Sequence, residues 1–176
     1  MNQSKWRTAR AFSVATAIVG LMLLGTSASW AQQKGLKGQL VGAWTLVSVE
    51  VTTKSGSKVP GIPGPNPKGI LILDATGRYA AVNGAPDRPK LKVTAPRKDI
   101  PAAELGEAAR TFGANFGTWS VNEADRTLIR KFELALIPNN DNNETKATVS
   151  LAKGELKLVG VTPAGSTVES VYRRAK

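Results

Sequence analysis

The 176 residues contain neither histidine nor cysteine. That removes Ser–His and Cys–His nucleophilic chemistry, imidazole acid–base catalysis, every His-based zinc or copper site and any disulfide. No metal, cofactor or catalytic residue is assigned. What remains able to grip a ligand is a small set of carboxylates, guanidinium groups and phenols. Glu50 stands in the run Trp44, Leu46, Ser48, Glu50. In a strand, alternate residues share a face, so if Trp44 points inward then Ser48 and Glu50 are expected to follow it. A second run, Leu128, Phe132, Leu134 and Leu136, carries Arg130 among apolar residues. Glu50 and Arg130 are therefore the two charges expected to look into an interior. They would pair with each other, or Arg130 would hold a ligand carboxylate or phosphate through its planar donor fork. Tyr79 and Tyr172 join this set because a buried hydroxyl needs a partner. The competing reading starts from Val47, Val49 and Val51, which also look like core. A bulge after Trp44 would turn those valines inward and put Glu50 in solvent.

The elements that must position these residues read as strands. Leu40–Thr52, Gly69–Asp74, Arg78–Val82, Asn115–Val121, Thr127–Leu136, Thr145–Ala152, Glu155–Val161 and Thr167–Arg173 are alternating or β-branched and are separated by turn residues. Asp74-Ala75-Thr76-Gly77 reads as a hairpin turn. The segment from Thr53 to Lys68 holds four prolines and is expected to be a loop that no sheet crosses. One short helix is expected from Asp99, as its cap, to about Thr111. Eight short strands with one helical interruption predict an all-β domain, an antiparallel sandwich or barrel, whose interior is filled by side chains or holds one small ligand.

Residues 1–31 have the three parts of a secretory signal: Lys5, Arg7 and Arg10, an uncharged run from Ala11 to Gly25, and the ending Ser29-Trp30-Ala31. The uncharged run is too short to span a bilayer as a helix. Cleavage after Ala31 is expected, with a basic lead-in at 32–39 and one barrel domain at 40–176. Beyond Ala31 there are 21 basic and 13 acidic residues, a formal +8. A chain without disulfides that relies on its core alone fits a bacterial periplasmic or secreted protein.

Gly42-Ala43-Trp44 in LVGAWTLVSVE, followed by GILILDATGRYAAV, FGTWSVNEADRTLIRKFE and the closing GELKLVG and VYRR, resembles the bacterial lipocalin-like domain family. The resemblance covers nearly all of Leu40–Arg174 and implies an eight-stranded antiparallel lipocalin-like barrel, open at one end. It implies a structural role for Trp44 at the closed end, packed by Arg174 (or Arg173) from the last strand. It also implies that the Val59–Gly69 loop folds over the open end. The resemblance leads to a histidine in the fifth strand where this chain has Arg130, so no imidazole role carries over.

The reading drawn from these features is an exported, non-enzymatic carrier of a small, mostly apolar or amphipathic ligand, with Glu50, Arg130, Tyr79, Ser48 and Tyr172 as ligand contacts. A barrel-type isomerase, cyclase or dehydratase using Glu50 and a tyrosine is the alternative. A third reading is a module that binds an anionic envelope surface through the basic run Arg88, Lys90, Lys92, Arg97 and Lys98. Nucleic acid is not expected as a partner, because no aromatic residues interleave with those charges and an export signal precedes them.

Overall fold

In the computed structural model, residues 35–92 and 96–176 are described. The expected signal segment lies outside the described residues. A five-residue helix, α1 (Leu36–Leu40), leads into nine strands: β1 (Gly42–Thr52), β2 (Lys58–Pro60), β3 (Lys68–Leu73), β4 (Arg78–Gly84), β5 (Phe112–Asn122), β6 (Thr127–Ala135), β7 (Glu144–Ala152), β8 (Glu155–Val161) and β9 (Thr167–Arg174). A second helix, α2 (Ala102–Arg110), joins β4 to β5. Each long strand pairs antiparallel with its successor, and β1 also pairs with β9, from Trp44 opposite Arg174 to Thr52 opposite Thr167. This last pairing closes the sheet into a barrel of eight long strands and leaves no long edge exposed.

Three elements differ from the sequence reading. The basic lead-in ends in α1, whose Leu36 and Leu40 are buried in the core. The proline-rich segment contributes β2, whose three residues pair with Glu50–Thr52 of β1. The lower half of β1 pairs with β3 instead, so residues 61–67 are an excursion between two stretches of one wall, with Gly61, Pro63 and Pro67 buried. Asp99 does not cap α2: it ends a separate 3-10 turn at Arg97–Asp99, and Pro101 occupies the N-cap.

Side chains alternate as a half-buried sheet requires. Leu46, Leu71, Leu73, Trp119, Leu128, Val149, Leu156 and Leu158 point inward and form the core with Trp44, while Ile70, Ile72 and Lys131 lie outside. One pole is sealed. Trp44 is fully buried there, its indole N–H donating to Leu40 O at 2.7 Å. The Arg174 guanidinium lies over the Trp44 ring, 4.0 Å from its centroid, and donates to the carbonyls of Val41 and Gln39. Gly42 has φ +132°, and a Cβ on it would meet Arg174 Nη1 at 2.6 Å. The glycine of the Gly-x-Trp motif is thus required twice, by backbone conformation and by the guanidinium lying against it. The Glu123 carboxylate, on the turn between β5 and β6, accepts from the backbone N–H groups of Leu36 and Lys37 at 2.8 and 2.9 Å and so caps α1 from across the chain.

Candidate functional site

Toward the opposite pole the inward positions become polar. On β6, Arg130 follows Leu128 on the inner face, opposite Trp119 of β5 and Thr145 of β7. Its guanidinium lies 5.7 Å from the centroid of the Tyr79 ring, which comes from the inner face of β4. Tyr172 and Ser170 reach the same region from β9. A cavity of about 250 Å³ lies here, walled by Arg130, Thr145, Leu158, Val168, Ser170 and Tyr172 and reaching the turn between β8 and β9 at Pro163. It combines aliphatic walls with a few converging polar groups, which is how small-molecule sites are usually lined.

The polar groups are poorly satisfied. Tyr79 Oη, Asn115 Oδ1 and Thr145 Oγ1 are buried and make no hydrogen bond. Arg130 has no hydrogen-bond or salt-bridge partner for its side chain among the described residues. The Tyr79 ring is the aromatic face it meets. Among the described residues no carboxylate pairs with Arg130: Glu169 is taken up by Lys157 and Glu133 by Arg78. Burial pushes the Tyr79 phenol up to about 12, against the pull of the nearby Arg130 charge. Burial also raises Tyr172, with Arg130 and the Ser170 hydroxyl acting in the opposite sense. Both phenols are therefore neutral donors at physiological pH.

Glu50 and Ser48 do not reach this region. The pairing of β1 with β9 slips between Leu46 and Ser48, so Val47 is an extra residue and the parity of β1 reverses above it. Val49 packs against the core, while Ser48 and Glu50 face water, with Glu50 paired to Lys58 Nζ at 2.8 Å. The expectation that these two side chains line the interior is corrected, and no Glu50–Arg130 pair forms. A second slip lies between Phe116 and Gly117 on β5, where Glu133 is the extra residue on β6. It turns Leu134 outward, although simple alternation groups it with Phe132. Asn115 and Thr145 were missed by the sequence reading. Their strand parity with Trp119 and Ala147 was the signal that could have found them. Among the described residues no cluster of three acidic side chains could hold a metal ion.

The sequence matches the profile of a lipocalin-like domain over residues 41–171. A search of curated proteins finds no match. Among solved structures, a lipocalin-like protein from Bacteroides uniformis is 15% identical, with 78% of this chain and 100% of that chain covered and a TM-score of 0.41. A redesigned β-barrel is 13% identical, covering 82% of this chain and 98% of its own, at a TM-score of 0.42. Another redesigned β-barrel, bound to DFHBI, is 13% identical over 80% of this chain and 100% of that chain, at a TM-score of 0.40. The profile spans most of the chain and takes in the Gly-x-Trp strand, the DATG hairpin and the first five residues of the closing strand: this protein belongs to the lipocalin-like domain family.

Proposed function

We propose that this protein binds a small, mostly apolar molecule inside the barrel, and that it does so as an exported protein of the periplasm or cell exterior. The barrel of a lipocalin-like domain supports a binding role in general. The observation that carries the specific reading is the 250 Å³ cavity with its aliphatic walls and its few inward polar groups, Arg130, Thr145, Ser170 and Tyr172. Tyr79 belongs with them through its contact with Arg130. Export rests on the signal-like character of residues 1–31.

The test is native mass spectrometry of the purified mature protein before and after solvent extraction, followed by titration with fluorescent apolar probes. One probe is expected to enter per chain, displaceable by material recovered in the extract. A protein that neither carries a ligand nor takes up any probe would end this reading. An enzyme built on Glu50 and a tyrosine has lost its geometry, since that carboxylate is outside the wall and bound to Lys58. An anionic envelope surface as a second partner rests on the exposed Lys90, Lys92, Arg97 and Lys98. Arg88 is already engaged by Ala108 O and the Phe112 ring. Retention on anionic vesicles that fades with added salt tests it.

A further inference from the structure

We infer that the cavity is built for a monoanionic amphiphile whose carboxylate sits against Arg130, with the alkyl portion along the aliphatic wall; this rests on the binding reading above and narrows it to one ligand class. Three observations converge. First, Arg130 is drawn to the inner face by its place between Leu128 and Phe132, yet among the described residues no carboxylate meets it. A guanidinium removed from water without an acceptor is unfavourable, and a planar fork of donors is geometrically matched to a carboxylate. Second, two of the three buried unbonded polar atoms are hydroxyls near Arg130, and the third, Asn115 Oδ1, is an acceptor that is not on the cavity wall. Tyr79 Oη and Thr145 Oγ1 are buried and unbonded, and each is a hydroxyl that can donate. Tyr79 contacts Arg130 through its ring, and Thr145 is its cross-strand neighbour on β7. Third, Arg130 is the one cation on the cavity wall without a counter-ion among the described residues. Lys146 also borders the cavity, but its side chain is largely exposed and pairs with Glu144, while Lys157 pairs with Glu169 on the outside. A single fixed positive charge balances a monoanion. A phosphate monoester would bring a second negative charge into a low-dielectric site with nothing to meet it.

The mature protein is titrated calorimetrically with decanoate, decan-1-ol and decyl phosphate, each below its aggregation concentration. Decanoate is expected to bind about tenfold or more tighter than the alcohol, a difference in line with one charge-assisted hydrogen-bonded contact. It is also expected to bind more tightly than decyl phosphate. In Arg130→Met the acid should fall to the affinity of the alcohol, while the alcohol itself changes by about twofold or less. Arg130→Lys, which keeps the charge and loses the fork, should lie between. Equal binding of acid and alcohol by the unaltered protein would overturn the head-group assignment and leave the binding reading intact. So would tighter binding of the phosphate, or acid selectivity that survives in Arg130→Met. If no decyl compound binds while apolar probes of another shape do, the assignment also falls. If nothing binds at all, both readings fall together. Because the acid-versus-alcohol comparison uses the unaltered chain, a variant that fails to fold does not spare the proposal.

Discussion

Two tyrosines are all this chain has, and both phenols are held out of water near one guanidinium. An ordinary phenol ionises near pH 10. Here burial raises both, Tyr79 to about 12. The folded chain should therefore keep its phenol protons where the unfolded chain sheds them. Stability from this source is complete below pH 10 and is lost as pH rises from about 10 to 12, with a slope of at most about 1.4 kcal/mol per pH unit for each tyrosine. Tyrosinate ultraviolet absorbance should appear late in a native alkaline titration and together with loss of the fold. Ionisation of either phenol near pH 10 with the barrel intact would contradict this. Glu50 makes the opposite case. Its carboxylate is half exposed and paired with the exposed Lys58 of β2, so Glu50→Gln should change stability by no more than about 0.5 kcal/mol and leave probe uptake unaltered. A substantial loss of uptake would mean that the side chain turns inward after all. Alternation groups Arg130 with Leu128 and Phe132 because no irregularity intervenes between them. Plain alternation from Trp44 fails for Glu50 because one extra residue, Val47, reverses every side chain beyond it, which is the bulge that the valine pattern at 47, 49 and 51 offered as the competing reading.

At the scale of elements, the second slip explains a glycine. Gly117 lies where β5 and β6 approach so closely that a Cβ would come within 2.0 Å of Lys131 O. That carbonyl belongs to the wall and cannot rotate away as a side chain could. Gly117→Ala is expected to cost at least about 1–3 kcal/mol in urea unfolding, with the disturbance reported by Trp119 fluorescence two residues on. A change within about 0.5 kcal/mol would show that the two strands separate there easily. The eight long strands were legible because alternation and turn residues are local signals. Seven observed starts or ends coincide with the expected ones: Thr52, Arg78, Thr127, Ala152, both ends of Glu155–Val161, and Thr167. What was hidden was non-local. α1 is five residues long and has no side-chain cap of its own, and the carboxylate that completes its first turn comes from Glu123, more than eighty positions away. β2 holds a proline at its end and exists only because β1 offers it a free upper edge.

For the molecule as a whole, the sealed pole concentrates the binding energy of the fold. Leu40 is wholly buried, and its carbonyl receives the Trp44 indole. Leu40→Ala should remove roughly 2–5 kcal/mol, the range for deleting a fully packed leucine, read from denaturant midpoints. A smaller loss would show that α1 is only loosely attached and that the core closes without it. The polar half of the interior should be indifferent to this change so long as the barrel stays folded, because its groups hang from β4, β6, β7 and β9 and not from α1.

One consequence follows from where the described chain enters and leaves. α1 and the end of β9 meet at Arg174, on the same side as the Gly77 and Gly154 turns, while the cavity runs toward Pro163. Whatever is fused to either end of the barrel domain will hang from its base like a stalk. A tether, a reporter or a solid support attached there leaves the Pro163 end of the cavity facing away and unobstructed.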